Sequence, residues 1–230
     1  MKIWRLVDPK DERYARASRR GTWSPGKGLC PECTSSSQER IPPLVMEWER
    51  GSDEIGDFTW PGSGDAAVTE RALETLMELG GLDSGPVEMY QDPKLRRPRS
   101  PRHAIPRVWL PYEGPPLFDL GLTHCLQVDV EKSSVTLVHS CSTCDRRRYE
   151  VAGIERRETA WDKVRLSSEQ THIPREPRQG IYVREPGLGT VGLFRVREFP
   201  AWLLCTDSAR RHIERASLSN ISFYEVGDTS

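Results

Sequence analysis

The chain lacks three things that would have narrowed its function at once. It lacks net charge: 33 basic residues stand against 34 acidic ones, a formal charge of -1. No global field therefore draws it to nucleic acid or an anionic membrane, and any such binding has to be local. It lacks long apolar runs. No stretch approaches the roughly 20 apolar residues of a membrane-spanning helix, and the opening Met1-Lys2-Ile3-Trp4-Arg5-Leu6-Val7-Asp8 has no apolar core of about 7 to 15 residues such as a secretory signal carries. The expected location is the cytoplasm. Histidine is also scarce: His103, His139, His172 and His212 show neither H-x-x-x-H nor H-E-x-x-H spacing, so a catalytic metal site has no support. Lysine is rare beside arginine, which reads either as phosphate or carboxylate recognition or as simple compositional bias.

What is present suits an ordinary globular protein. The 230 residues are 36% hydrophobic with seven Trp, enough for one compact domain or two small, closely packed lobes. The 18 Pro and 18 Gly imply much irregular chain.

Six cysteines in such a protein read as metal ligands or buried thiols rather than disulfides. Four of them form two C-x-x-C pairs, Cys30-Pro31-Glu32-Cys33 and Cys141-Ser142-Thr143-Cys144. At that spacing one tight turn aims both sulfurs at a single tetrahedral ion, and two turns supply four ligands. The expectation is a closed, structural zinc site on Cys30, Cys33, Cys141 and Cys144, with reduced metal-free thiols as the alternative.

Lys2 to Val7 reads as a strand apolar on both faces, and Leu44 to Trp48 as another. The clearest helix starts at the N-cap Thr69, carries Ala72, Leu73, Leu76, Met77 and Leu79 on one face, and stops at Gly80-Gly81. Val87 to Tyr90 reads as a following strand. Residues 91–107 hold four prolines among six basic residues and read as an exposed basic linker. Leu126 to Val130 and Val135 to His139 alternate about a short polar turn, which predicts a hairpin leading into the second cysteine pair. Tyr149 to Ile154 reads as a strand leaving it, and residues 156–180 give no clear pattern. Near the end come strands at Leu193 to Val196 and Trp202 to Leu204, a helix capped by Thr206 and running through Ala209, Ile213 and Ala216, and a strand at Ile221 to Val226. The two helix starts echo one another, Val68-Thr69-Glu70-Arg71-Ala72 with Leu76 against Cys205-Thr206-Asp207-Ser208-Ala209 with Ile213. Either a strand-helix-strand unit is repeated after each cysteine pair, or both helices use the same common capping chemistry.

Several of these blocks together resemble the double-CXXCG-motif paralogous family of myxobacteria. The likeness lies in the two C-x-x-C pairs, in Gly56-Asp57-Phe58-Thr59-Trp60 followed by Val68-Thr69-Glu70-Arg71, in Gly192 to Pro200, in Cys205-Thr206-Asp207 and in Asn220-Ile221-Ser222-Phe223. It implies, for some members, an immunity protein that protects the cell from a toxin delivered by kin. The sequence departs from the family pattern in having Thr34 and Asp145 where a glycine follows each second cysteine. A knuckle that folds its amides back onto the sulfurs calls for a positive φ there, which Asp tolerates better than β-branched Thr.

Other chemistry is weaker. His124 and Cys125 are neighbours and, on a strand, point to opposite faces, which argues against a dyad. Cys205 ends an apolar strand and reads as core. Gly187-Leu188-Gly189-Thr190-Val191-Gly192 reads as a loop between strands rather than a phosphate cradle. Arg146-Arg147-Arg148 and the basic linker would suit nucleic acid, and the acidic stretch Glu47 to Asp57 would suit a cationic toxin surface; solvated charge explains either.

The expected fold is α/β (α+β), with mixed sheets and two strand-helix-strand units joined by a zinc-ribbon-like four-cysteine knuckle. An N-terminal lobe spans 1–90, the linker 91–107 and a C-terminal lobe 108–230, packed as one unit. The expected function is binding rather than catalysis: neutralisation of a cognate toxin protein, without membrane contact. The second reading is a zinc-ribbon nucleic-acid-binding or regulatory protein.

Overall fold

The computed structural model describes residues 1–20, 30–33, 42–62, 64–97, 105–162 and 165–230, with backbone alone for 156–162 and 165–170. The elements run β1 (Lys2–Val7), β2 (Ala17–Arg19), β3 (Leu44–Trp48), β4 (Phe58–Gly62), β5 (Asp65–Thr69), α1 (Glu70–Met77), β6 (Leu82–Tyr90), β7 (Leu117–Leu122), β8 (Cys125–Leu126), β9 (Val135–Ser140), β10 (Arg147–Val151), β11 (Glu155–Asp162), β12 (Arg165–His172), β13 (Ile181–Val183), α2 (Glu185–Leu188), β14 (Leu193–Val196), β15 (Phe199–Thr206), α3 (Asp207–Arg215) and β16 (Ser222–Thr229). They build two six-stranded sheets, in the orders β13-β16-β1-β15-β14-β8 and β2-β3-β6-β7-β5-β4, and two separate hairpins, β9-β10 and β11-β12. Among the described residues no helix is long and apolar enough to cross a membrane.

The echo in the sequence extends to the topology. The runs β3-β6-β7-β5-β4 and β13-β16-β1-β15-β14 match strand for strand. In each, the first pair is parallel and the remaining three are antiparallel. Each contains a split β-α-β unit, β5-α1-β6 or β15-α3-β16, whose two strands are parallel but separated by one inserted strand. For the first the insert is β7, which follows in the chain. For the second it is β1, from the other end of the sequence. The units are therefore permuted relative to one another, a relationship that common capping chemistry does not produce.

The lobes expected from the sequence do not coincide with the sheets. Strand β1, within 1–90, lies in the sheet made otherwise from C-terminal strands, and β7, within 108–230, lies in the sheet made otherwise from N-terminal ones. The physical reason is that a split β-α-β unit leaves main-chain donors and acceptors on both sides of a one-strand space, and these need a partner wherever in the chain it lies.

Both helices start as their sequences predict. The Thr69 side chain accepts from the Ala72 amide at 3.4 Å and Thr206 from that of Ala209 at 3.2 Å, each satisfying a free amide of the first turn. Ala72 and Leu76 of α1, and Ala209 and Ile213 of α3, enter one shared core with Leu6, Phe58, Val68, Leu120, Leu193 and Leu203. Alternation along β15 sends Leu203 and Cys205 into that core and Trp202 and Leu204 into a second cluster on the opposite face. A third cluster, with Leu44, Met46, Trp48 and Ala67, covers the outer face of the other sheet.

The units also exchange main-chain bonds. The Gly192 amide, before β14, donates to Leu79 after α1 at 2.7 Å, and the Phe58 amide, at the start of β4, donates to Ser219 after α3 at 3.3 Å. Asp57 ties the second junction: its carboxylate accepts from the Ser219 amide and hydroxyl at 2.8 and 2.9 Å, from Thr69 at 3.0 Å and from Arg71 at 2.7 Å. Burial opposes its ionisation, but the Arg71, Ser219 and Thr69 bonds outweigh that and hold Asp57 down at about 2.

Some local expectations change. Leu126 to Val130 does not pair with Val135 to His139. Cys125–Leu126 joins the large sheet beside β14 and Val128 bridges to Val183, while β9 pairs with β10. The long irregular stretch at 156–180 contains the β11-β12 hairpin. In the basic linker, residues 98–104 lie outside the described residues, and Arg107 at its end is buried rather than exposed. Its guanidinium donates to the Trp48 carbonyl and sits 5.2 Å from the Trp109 ring.

Gly81 has φ +81, and a Cβ there would stand 2.1 Å from the Leu193 carbonyl oxygen. Gly81→Ala is expected to cost about 2 kcal/mol or more, read as a lower urea midpoint at unchanged slope.

A second expectation concerns acid. His172 is stacked on Tyr224 at 3.8 Å between ring centres. Burial, followed by the positive charge of Arg5, lowers it from 6.5 to about 4. Glu155, 3.6 Å away, does not reverse this because it is bonded to Arg5 at 3.1 Å. The folded protein thus holds a neutral ring that the unfolded chain protonates more readily, so its stabilising contribution is present above about 6.5 and is lost as pH falls toward 4. His172→Phe keeps the stack and should flatten that limb of an unfolding-midpoint-against-pH curve; an unchanged limb would count against it.

Candidate metal centre

The second knuckle is the turn of the β9-β10 hairpin. Cys141 donates its amide to the Arg146 carbonyl at 2.9 Å, closing the loop. Inside it the amides of Thr143 and Cys144 face the Cys141 sulfur, and that of Arg146 faces the Cys144 sulfur. This reversal needs one residue in the left-handed region, and Asp145 takes it with φ +55. Thr34, its counterpart after the first knuckle, lies outside the described residues.

The two knuckles meet across 111 positions of sequence, with Cys30 Sγ 3.6 Å from Cys141 Sγ and Cys33 Sγ 3.6 Å from Cys144 Sγ. All four sulfurs lie within 4.8 Å of one another. Sulfurs around one tetrahedral ion at about 2.3 Å stand about 3.8 Å apart, whereas a disulfide brings two to about 2.05 Å. The spacing is that of shared coordination, and all four are free cysteines. Cys30 and Cys141 are buried, Cys33 is half-buried and Cys144 is exposed.

Burial pushes Cys141 up to about 12. Cys144 is also raised: the Arg146 amide favours its thiolate, but burial and the neighbouring Cys33 and Cys30 outweigh that. A bound cation has to displace the thiol protons, so loading is coupled to pH. Glu32 spans the two knuckles, accepting from the Thr143 hydroxyl at 2.6 Å, from Ser142 at 3.1 Å and from Cys141 Sγ at 3.5 Å. The Thr143 bond, then those of Ser142 and Cys141, hold its carboxyl below the usual range. Glu32 was not singled out by its sequence, because an acid between two cysteines has no distinctive pattern.

No protein-family model matches the chain, and no curated protein matches it. What the site can do follows from its own geometry. Four converging thiols can hold one metal ion, and with all four bound a tetrahedral ion has no position open to a substrate.

The other sequence candidates do not assemble. His124 Nε2 is 2.8 Å from the Gly187 carbonyl, while Cys125 Sγ is directed to that of Leu126 at 3.9 Å. Cys205 is fully buried, and that burial raises its thiol strongly. The glycine-rich segment takes in the end of the short α2 and the turn into β14.

Titration with cobalt(II) should give one tetrahedral thiolate site per chain. Cys141→Ser should abolish its charge-transfer absorption, Cys205→Ser should leave it intact, and apparent affinity should fall as pH is lowered.

Proposed function

We propose that this chain is an immunity protein, held together by a structural zinc ion on Cys30, Cys33, Cys141 and Cys144, that neutralises a cognate toxin in the cytoplasm by protein-protein contact and not by catalysis. The observation that carries the binding side of this reading is the convergence of both C-x-x-C pairs on one four-sulfur cluster. Such a set suits a closed zinc site, which stabilises a fold rather than performing a reaction. The partner class rests on the resemblance to the double-CXXCG family, carried by the order of Cys30 and Cys33, Gly56 to Trp60, Cys141 and Cys144, Gly192 to Pro200 and Asn220 to Phe223.

A second reading, a nucleic-acid-binding zinc ribbon, is favoured by one observation: Arg146, Arg147 and Arg148 are all exposed beside the second knuckle. Against it stands a near-neutral chain, which supplies no steering field beyond that run.

Protein purified without chelator should carry one zinc and no iron per chain by elemental analysis. Co-expression with the product of the adjacent open reading frame should relieve that product's toxicity and yield a complex that copurifies. A toxic product that is neither relieved nor bound would falsify the immunity reading. Salt-dependent binding of DNA or RNA at near-physiological ionic strength would favour the second.

A further inference from the structure

The β9-β10 hairpin holds the second knuckle out from the two sheets. Its base is anchored: Val135 is buried, and Tyr149 and Val151 pack against the same core cluster. Beyond that base, every residue from Thr136 to Arg148 except Cys141 is exposed. These include Leu137 and Val138, at 47% and 39% exposure. Among the described residues the two strands pair only with each other, so both outer edges of the ribbon present main-chain donors and acceptors without a described neighbouring strand.

The same ribbon carries an uncompensated positive run. Among the described residues, no carboxylate lies within ion-pair distance of Arg146, Arg147 or Arg148. By contrast, Arg5, Arg13, Arg19, Arg71, Arg175 and Arg211 each have an acidic partner. In the register of the hairpin, Arg147 stands opposite Ser140, Arg148 opposite His139 and Tyr149 opposite Leu137. Arginines and exposed aliphatic residues thus share one open ribbon, above the core-packed Tyr149.

We infer that the exposed β9-β10 ribbon is a docking surface for an extended acidic segment of a partner protein, which adds as a strand along an open edge and places carboxylates on Arg146 to Arg148. Open strand edges accept main-chain pairing from an extended peptide, with side-chain pockets supplying selectivity. Arginine together with exposed apolar groups suits protein-protein contacts, while a phosphate backbone has no use for exposed Leu137 and Val138. A second copy of this chain is disfavoured as the occupant, because edge-to-edge pairing would set one arginine run against the other. The strands are anchored at one end by the core and meet the four-cysteine cluster at the other, and such pre-ordering lowers the cost of binding. The identity of the partner as a toxin rests on the function proposed above; the surface does not.

The test uses the full chain, a charge-reversed triple variant (Arg146→Glu, Arg147→Glu, Arg148→Glu), an apolar variant (Leu137→Asp, Val138→Asp), and a control triple that makes the same charge change elsewhere (Lys94→Glu, Arg96→Glu, Arg97→Glu). Cobalt(II) absorption and circular dichroism establish that each variant keeps its metal site and fold. The probe is a short synthetic peptide alternating glutamate with valine, followed by fluorescence anisotropy and amide hydrogen exchange at near-physiological salt. The expected result is protection of residues 136–148 on binding, a loss of about tenfold or more in affinity for both ribbon variants, and no loss for the control. Absence of binding, protection elsewhere, an equal loss in the control, or tighter binding of duplex DNA to the same ribbon overturns the proposal. With the adjacent-gene product, a complex that survives the ribbon triple overturns the surface while leaving the immunity reading intact. Failure of the unmodified chain to bind that product removes the toxin as partner, and the peptide result then decides the surface alone.

Discussion

Each split β-α-β unit leaves a space one strand wide between two parallel strands, and filling it is the constraint on which the rest of the molecule depends. Buried main-chain amides and carbonyls on both flanks must find partners. In one unit β7 fills the space between β5 and β6; in the other β1 fills it between β15 and β16. Because β1 comes from the opposite end of the chain, the second sheet closes only when the two termini are brought together. The same act sets Ile3 into the outer core and Leu6 into the shared one.

The shared core explains why the helices are so spare. Only Ala72 and Leu76 of α1 and Ala209 and Ile213 of α3 are buried, two residues on each, a small apolar stripe for an isolated helix. They suffice because both helices press into one cluster between the sheets, while Gly192, Leu79, Phe58 and Ser219 stitch the units at the edges of that cluster. Polar side chains then fix the angle of approach, with Asp57 and Asn220 each reaching across a junction.

The cysteine cluster belongs to a different part of the architecture. It does not sit between the helices but on a hairpin outside the sheets, where it joins a short N-terminal turn to the tip of β9-β10. A metal ion bound there would crosslink residues far apart in sequence and remove freedom from the unfolded chain, as any long-loop closure does. Its second effect would be local, since it would brace a ribbon that two strands alone do not stabilise in water. Four cysteines that could close around one metal ion and a ribbon that exposes arginines are thus complementary features of one hairpin.

Sequence alone determined the pieces whose causes are local. The C-x-x-C spacing predicted two turns that converge on one cluster, Thr69 and Thr206 marked both helix starts, and short apolar runs located β1, β3 and β14. Asp145 was legible as the residue forced to positive φ. What only the tertiary structure decided was partnership. Alternation at Leu126 to Val130 and at Val135 to His139 is compatible with a hairpin between them, yet β9 takes β10 and the knuckle itself becomes the turn. Nothing in the apolar pattern of Lys2 to Val7 names β15 and β16 as its neighbours, because a strand's periodicity reports which faces are buried and not which edges are paired. The burial of Arg107 was hidden for a similar reason: a basic, proline-rich context reads as exposed, and only the folded chain brings the Trp48 carbonyl and the Trp109 ring to that guanidinium.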